Sequence, residues 1–343
     1  MKSAVSKAVL ILLIVSTLAG VALSTGPPIL LSEPIYPGMA PREVSDAVLE
    51  ARELVIQRRY DEAEKLLWKL VEERPEDPVG ATGLMVVYQV RMLENEEAFL
   101  DDEMQRVIEL NNRALDRFRK NAPPNTWYYV LIGGSTGIEG IYHLWRDDYI
   151  PAGMKGFAAI QNMRKALDTD PDCWEARLGL GIFLYYRSAY ASKAPFLPDS
   201  VDRREEGIRE VGLGGKKRLY LDETARIALA RIYFDAKQYD KSKEVADALI
   251  KQYPDFMVFH LFAARALFEA SRFEEALPYY QTAYLIDLNL PFSAYRAGEC
   301  LEEMGKMTEA VDWYKIAVEA GRNRSPDKWG SKAKRKLEKI TSH

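Results

Sequence analysis

The chain has 343 residues, of which 48% are hydrophobic and 29% are charged, so it is long enough to bury a substantial core. Its formal net charge of −4 does not favour a nucleic-acid partner. With two cysteines and three histidines, it offers neither a disulfide framework nor a metal-ligand cluster, and we expect no cofactor.

The N-terminal 24 residues have the features of a signal peptide. Lys2 and Lys7 accompany an apolar run, and residues 22–24 (Ala-Leu-Ser) supply the small side chains that a signal peptidase requires. A membrane-spanning helix needs about 20 apolar residues, and Gly20 interrupts this run. The sequence therefore predicts export to a periplasmic or extracellular location. An uncleaved signal anchor in the inner membrane is the alternative.

Residues 25–41 contain five prolines and predict an extended lead-in. Beyond it, from residue 42 to 321, the sequence predicts helix pairs, because windows of the chain align at an offset of 34 residues. Small residues in such a pattern let antiparallel helices approach closely, and large residues fill the groove beside them. A further window near the N-terminus has the same spacing, at Ala51, Leu54, Ala63, Leu67 and Leu70. The aligned positions of the three C-terminal windows are Ala230, Ala264 and Gly298; Tyr233, Leu267 and Leu301; Ser242, Ala276 and Ala310; Ala246, Tyr280 and Tyr314; and Leu249, Ala283 and Ala317.

This period and these residues resemble the tetratricopeptide repeat, or TPR. Residues 291–321 and 257–289 are the best copies, while Pro75, Pro171 and Pro254 close others. The resemblance implies an all-α fold, a right-handed α-solenoid of about seven TPR-like helix pairs plus a C-terminal capping helix. Residues 322–343 would form this basic cap and tail. We also considered that its lysines could contact anionic lipid or an acidic partner.

The middle of the chain resembles a narrower group. Over residues 125–290, a glycine-rich helix is followed by "KALDTDPDCWEARLGLGIFLYY", a Pro/Phe break, a short helix and "ETARIALARIYF". This order is similar to the inclusion-body-clearance family and its secreted bacterial relatives. The resemblance implies a non-enzymatic accessory protein, and it supplies no catalytic residues.

Two other segments allow a structural and a functional interpretation. The run "GGSTGIEG" at 133–140 lacks the lysine of a phosphate loop, and Gly133, Gly137 and Gly140 share one helix face. We therefore predict close helix packing there. The aromatic break at 185–196 is either a contact surface or, as we favour, a connection folded onto the repeats. Cys173 and Cys300 are expected to be separate small core residues.

The candidate partner site lies on the first helix of each pair, which the repeat resemblance places on the concave side. Two arginines one repeat apart, each with a phenylalanine beneath, would clamp a carboxylate while the rings hold an apolar side chain. The alternative is two unrelated arginines beside core aromatics. The candidate residues are Arg231, Phe234, Arg265, Phe268, Tyr295 and Glu299.

Together these patterns predict a non-catalytic exported TPR scaffold that binds a peptide segment or partner protein, with peripheral contact to a membrane or membrane complex possible. The alternative is a solute- or lipid-binding accessory protein of an envelope transport or assembly system. That function needs an enclosed apolar pocket, which we expect around Trp127, Trp145, Trp174 and Tyr185–Tyr186.

Overall fold

A computed structural model describes residues 42–96, 100–189, 201–217, 219–322 and 327–341. The predicted signal peptide, the proline-rich lead-in and residues 190–196 of the aromatic break lie outside these ranges. Within them, every regular element is a helix, and the all-α prediction is confirmed.

The described chain contains fifteen helices, which matches seven pairs followed by one C-terminal helix. The first eight are α1 (Arg42–Ile56), α2 (Tyr60–Glu73), α3 (Val79–Asn95), α4 (Asp101–Asn121), α5 (Thr126–Trp145), α6 (Tyr149–Thr169), α7 (Trp174–Ala189) and α8 (Arg204–Lys217). The others are α9 (Leu219–Asp235), α10 (Tyr239–Gln252), α11 (Met257–Glu269), α12 (Phe273–Ile286), α13 (Pro291–Glu303), α14 (Met307–Gly321) and α15 (Lys328–Thr341).

The small and large positions of the repeat pattern form the helix contacts that they predict. Ala264, Ala283 and Tyr314 are fully buried, as are most of their counterparts one repeat away. A Cβ atom added at Gly298 would lie 2.7 Å from Cε1 of Tyr314, so this position admits only glycine at the observed spacing. The predicted packing between paired helices is therefore confirmed.

A residue with positive φ follows the first helix of most pairs and reverses the chain into the second helix. Glycine adopts this conformation without steric cost, whereas other residues pay for it. In the described residues, glycine occupies this turn only at Gly305, where φ is 73°. The other residues with positive φ are Arg58, Glu96, Asp147, Lys237 and Ser271.

The glycine run of α5 packs against α6, as predicted. A Cβ atom at Gly133 would lie 3.0 Å from the Ala159 carbonyl oxygen, and one at Gly140 would lie 3.2 Å from Lys155 Cβ. These glycines let two backbones approach closely, which offsets their unfavourable helix propensity of about 1 kcal/mol each.

The chain divides into two compact units. The first contains the described residues up to Val90 together with Asp101–Ile232, and the second contains Arg91–Leu100 together with Tyr233–His343. The second unit therefore includes the last turn of α3 as well as the C-terminal repeats. Its apolar core is formed by α11 to α15. Among the described helices, none is both long and apolar enough to cross a membrane.

A cationic and aromatic face as the candidate functional site

The candidate residues do not all lie in one unit. Arg231 lies in the first unit, where only 2% of its surface is exposed. The others lie in the second unit on the first helices of three consecutive pairs, α9, α11 and α13: Phe234, Arg265, Phe268, Tyr295 and Glu299. The second unit is where the structure brings predicted residues together.

Arginines stack on phenylalanines in this unit, and each one contacts a ring of the preceding repeat. The guanidinium carbon of Arg265 lies 5.4 Å from the centre of the Phe234 ring. One repeat later, Arg296 lies 5.2 Å from the centre of the Phe268 ring. Such cation–π contacts stabilise a desolvated arginine by up to about 2 kcal/mol and hold its guanidinium in place.

Arg296 was not among the sequence-predicted residues. The 34-residue offset from Arg265 leads to Glu299, and Arg296 lies one helical turn before Glu299, so comparison at fixed offset passes over it. It donates to Glu299 Oε2 at 2.8 Å and lies 5.5 Å from the Trp329 ring centre. Burial would lower the pKa of Arg296, but Tyr280 and Glu299 raise it above its ordinary value.

Tyr295 and Glu299 are hydrogen-bonded to each other. The Tyr295 hydroxyl donates to Glu299 Oε1 at 2.9 Å, while Arg296 bonds the other carboxylate oxygen. Burial, together with the nearby Glu299 carboxylate, raises the pKa of Tyr295. This arrangement keeps the phenol protonated, and the two bonds to Glu299 let its carboxylate orient Arg296.

The C-terminal helix α15 adds an aromatic ring and further cations. Trp329 is buried, with its ring centre 4.9 Å from that of Phe292, and Lys332 Nζ lies 4.0 Å from the Trp329 ring centre. Within the described chain, no carboxylate forms an ion pair with Lys332. Burial and the charge of Arg296 lower the pKa of Lys332. We call Arg265, Phe268, Arg296, Trp329 and Lys332 the cationic–aromatic face.

The end of α3 contacts this face. The Glu96 carboxylate forms an ion pair with Arg265. Trp329 Nε1 donates to the Asn95 carbonyl oxygen at 2.8 Å, and Lys328 Nζ donates to the Glu96 carbonyl oxygen at 2.6 Å. Sequence reasoning missed these contacts because Asn95 and Trp329 are 234 positions apart.

The aromatic residues considered for an apolar pocket lie in the first unit. Trp127, Tyr185 and Tyr186 are buried, with the Tyr185 hydroxyl donating to the Ile232 carbonyl oxygen at 3.2 Å, whereas Trp145 and Trp174 are half-buried. A cleft of about 570 Å³ lies elsewhere in this unit, where Trp68, Tyr88 and Leu110 line it together with charged residues.

The cysteine side chains and His143 contact other protein groups, and the described residues do not gather them into a metal site. Cys173 and Cys300 are buried free thiols, as expected for core residues. A ring nitrogen of His143 lies 3.6 Å from an Asp148 carboxylate oxygen, and the other lies 3.9 Å from one of Glu139. The described residues contain no group of three or more His, Cys, Asp or Glu side chains arranged to hold a metal ion.

Comparison with known proteins supports the repeat interpretation over part of the chain. Residues 227–289, which span α10, α11, α12 and the C-terminal part of α9, match the tetratricopeptide repeat family. No curated protein matches the chain.

Solved structures similar to the chain include two of MamA. A mutant of MamA is 19% identical, with a TM-score of 0.37, and the alignment covers 55% of this chain and 96% of MamA. MamA AMB-1 is 18% identical, with a TM-score of 0.39, and the alignment covers 57% of this chain and 94% of MamA.

Proposed function

We propose that this protein is a non-catalytic scaffold that binds a peptide segment or partner protein on the first-helix face of its repeats. The observation that supports this function is the cationic–aromatic face, because first helices supply its arginines and Phe268. Arginine and tryptophan are the residues that contribute most binding energy at protein interfaces. The match of residues 227–289 to the tetratricopeptide repeat family also supports a protein-binding scaffold.

The proposed partner site consists of Phe234, Arg265, Phe268, Tyr295 and Glu299, with Arg231 as a separate candidate in the first unit. In the repeat family, the first-helix face is the concave side, where an extended or helical segment binds. The arginines would bind a carboxylate of the partner, and the phenylalanine rings would contact an apolar side chain.

Export and an accessory role complete the proposal. The apolar run at residues 1–24 supports a cleaved signal peptide, and the order of elements over 125–290 resembles secreted bacterial relatives of the inclusion-body-clearance family. N-terminal sequencing of the exported protein should find a mature chain that starts near Thr25. Recovery of an intact Met1 terminus in the membrane pellet would instead support a signal anchor.

The partner site is tested by capture followed by measurement of affinity. The full exported chain is used as bait in an envelope fraction, and the captured protein is then purified and titrated by calorimetry. Phe268→Ala and Arg296→Met should each weaken binding at least tenfold, the range for loss of a charged hydrogen bond or a buried ring. Arg231→Ala tests the first-unit candidate separately.

Glu274→Gln is the matched control, because Glu274 is an exposed residue of the same unit on a second helix. It should bind as wild type does. Circular dichroism establishes that each variant is folded. Equal affinity of wild type, Phe268→Ala and Arg296→Met would show that the partner binds elsewhere.

A further inference from the structure

The end of α3 is bound to the cationic–aromatic face in the way that a ligand would be. Its Asn95–Glu96 corner offers one carboxylate and two main-chain carbonyl oxygens. Arg265 forms an ion pair with the carboxylate. Trp329 donates a hydrogen bond to the Asn95 carbonyl oxygen, and Lys328 donates one to the Glu96 carbonyl oxygen. The carboxylate and both carbonyl oxygens of the corner are thus each matched by a cation or an N–H donor.

The chemistry of a helix C-terminus explains this complementarity. The last four carbonyl groups of a helix have no partner within the helix, and the helix dipole places partial negative charge at that end. A cationic surface therefore attracts it, and an acidic side chain strengthens the attraction. The turn itself is ordinary for this chain, because Glu96 has a positive φ of 48° like the residues that follow other first helices.

The face holds more positive charge than this corner neutralises. Glu96 pairs with Arg265, and Glu299 pairs with Arg296. Lys332 forms no ion pair with a carboxylate of the described chain, although it lies on the Trp329 ring. Charge complementarity therefore favours a segment with a second acidic group beside the one that Arg265 binds.

We propose that the Asn95–Glu96 corner is an intramolecular ligand that blocks this face, and that the external partner is an acidic helix end that displaces it. The inference rests on the proposed function, since it concerns the same face. A ligand within the same chain competes at an effective concentration in the millimolar range. An external segment therefore binds weakly until the corner is released.

A peptide that copies the corner tests this inference. The probe is a fluorescein-labelled peptide of residues 88–96 (YQVRMLENE) with an amidated C-terminus, titrated with the full chain by fluorescence anisotropy. Wild type should bind it weakly, and Glu96→Gln should bind it at least tenfold more tightly, because the internal carboxylate no longer competes. Trp329→Phe preserves the ring but removes the donor to the Asn95 carbonyl, which the corner and the peptide would share, so in the Glu96→Gln background it should reduce the gain.

Three controls give the result its meaning. Glu274→Gln should bind the peptide as weakly as wild type does. Glu96→Gln combined with Arg265→Met should lose the gain, and a peptide with glutamine at its last position should not bind Glu96→Gln. Equal, weak binding by wild type and Glu96→Gln, both folded by circular dichroism, would overturn the inference.

The peptide and partner experiments fail independently. If the native partner depends on Phe268 and Arg296 but the peptide shows no preference for Glu96→Gln, the intramolecular ligand is wrong and the partner site stands. If Phe268→Ala and Arg296→Met leave native partner binding unchanged, the partner site is wrong, whatever the peptide does.

Discussion

Replacement of Gly298 by leucine should strongly destabilise the C-terminal repeats. Gly298 lies in α13 against Tyr314 of α14, and an added Cβ atom would lie 2.7 Å from Cε1 and 2.8 Å from Cδ1 of that ring. The ring has nowhere to move, because Tyr314 is fully buried and its hydroxyl donates to Glu302. One of the two helices must therefore shift.

The size of the effect follows from two opposing contributions. Exchange of a helical glycine for alanine stabilises a helix by about 1 kcal/mol, whereas overpacking a close contact costs about 1–3 kcal/mol. Gly298→Ala should thus lower the free energy of unfolding by about 0–2 kcal/mol. Gly298→Leu adds three carbon atoms more than Gly298→Ala with no further gain in helix propensity, so its loss should reach about 3 kcal/mol or more.

Thermal melting followed by circular dichroism measures the loss. A change of 1 kcal/mol shifts the midpoint by about 2–4 °C in a chain of this size class, so Gly298→Leu should lower it by roughly 6–12 °C. Hydrogen exchange should show the loss of protection concentrated in α13 and α14. An unchanged melting temperature would refute the repeat register, because it would mean that Gly298 does not face a helix.

Three further predictions concern a turn, an ion pair and the thiols. Gly305→Ala should lower the free energy of unfolding by about 1–2 kcal/mol in denaturant titrations, because φ is positive at this residue, although no atom lies within 4 Å of the added Cβ. Gly212 is also in open space but lies within α8, so Gly212→Ala should raise the free energy of unfolding by about 1 kcal/mol. Burial opposes ionisation of Glu302, but Lys336 at 2.8 Å and Tyr314 outweigh burial and hold its pKa below the ordinary value. The free energy of unfolding should therefore fall as the pH drops below about 4.5. Glu302→Gln should flatten that dependence in thermal melts at acid pH. Burial raises the pKa of Cys300 to about 12, and Cys173 is fully buried. A thiol reagent at pH 8 should therefore modify neither cysteine until urea unfolds the chain. Rapid reaction in buffer without urea would contradict their burial.

The repeat packing could be predicted because it depends on nearest neighbours. Each small residue and the large side chain it faces belong to one helix pair, so a fixed 34-residue period encodes both. Gly298 and Tyr314 illustrate this, since 16 positions separate them and they are in direct contact. The close packing at Gly133 and Gly140 could be predicted for the same reason, because spacing along a single helix determines which face they share.

The functional face could be predicted only in part. Arg265 and Phe268 were found because they recur at the repeat offset. The phenylalanine under Arg265 was expected in its own repeat, but the long side chain reaches Phe234 in the preceding one. The contacts of Glu96 and Trp329 escaped prediction because they join distant parts of the chain, and no local pattern records such a pairing.

The contact between α3 and α15 has a consequence for the order in which the protein folds. Repeats gain most of their stability from adjacent repeats, so each helix pair can form soon after it is synthesised. Trp329, however, is made 234 positions after Asn95. At a synthesis rate of about 5–20 residues per second, Trp329 is synthesised roughly 12–47 s after Asn95, and the Asn95 carbonyl lacks this hydrogen-bond donor until then. During that interval, the end of α3 is available to chaperones and to other nascent chains, and closure of the second unit is necessarily a late step.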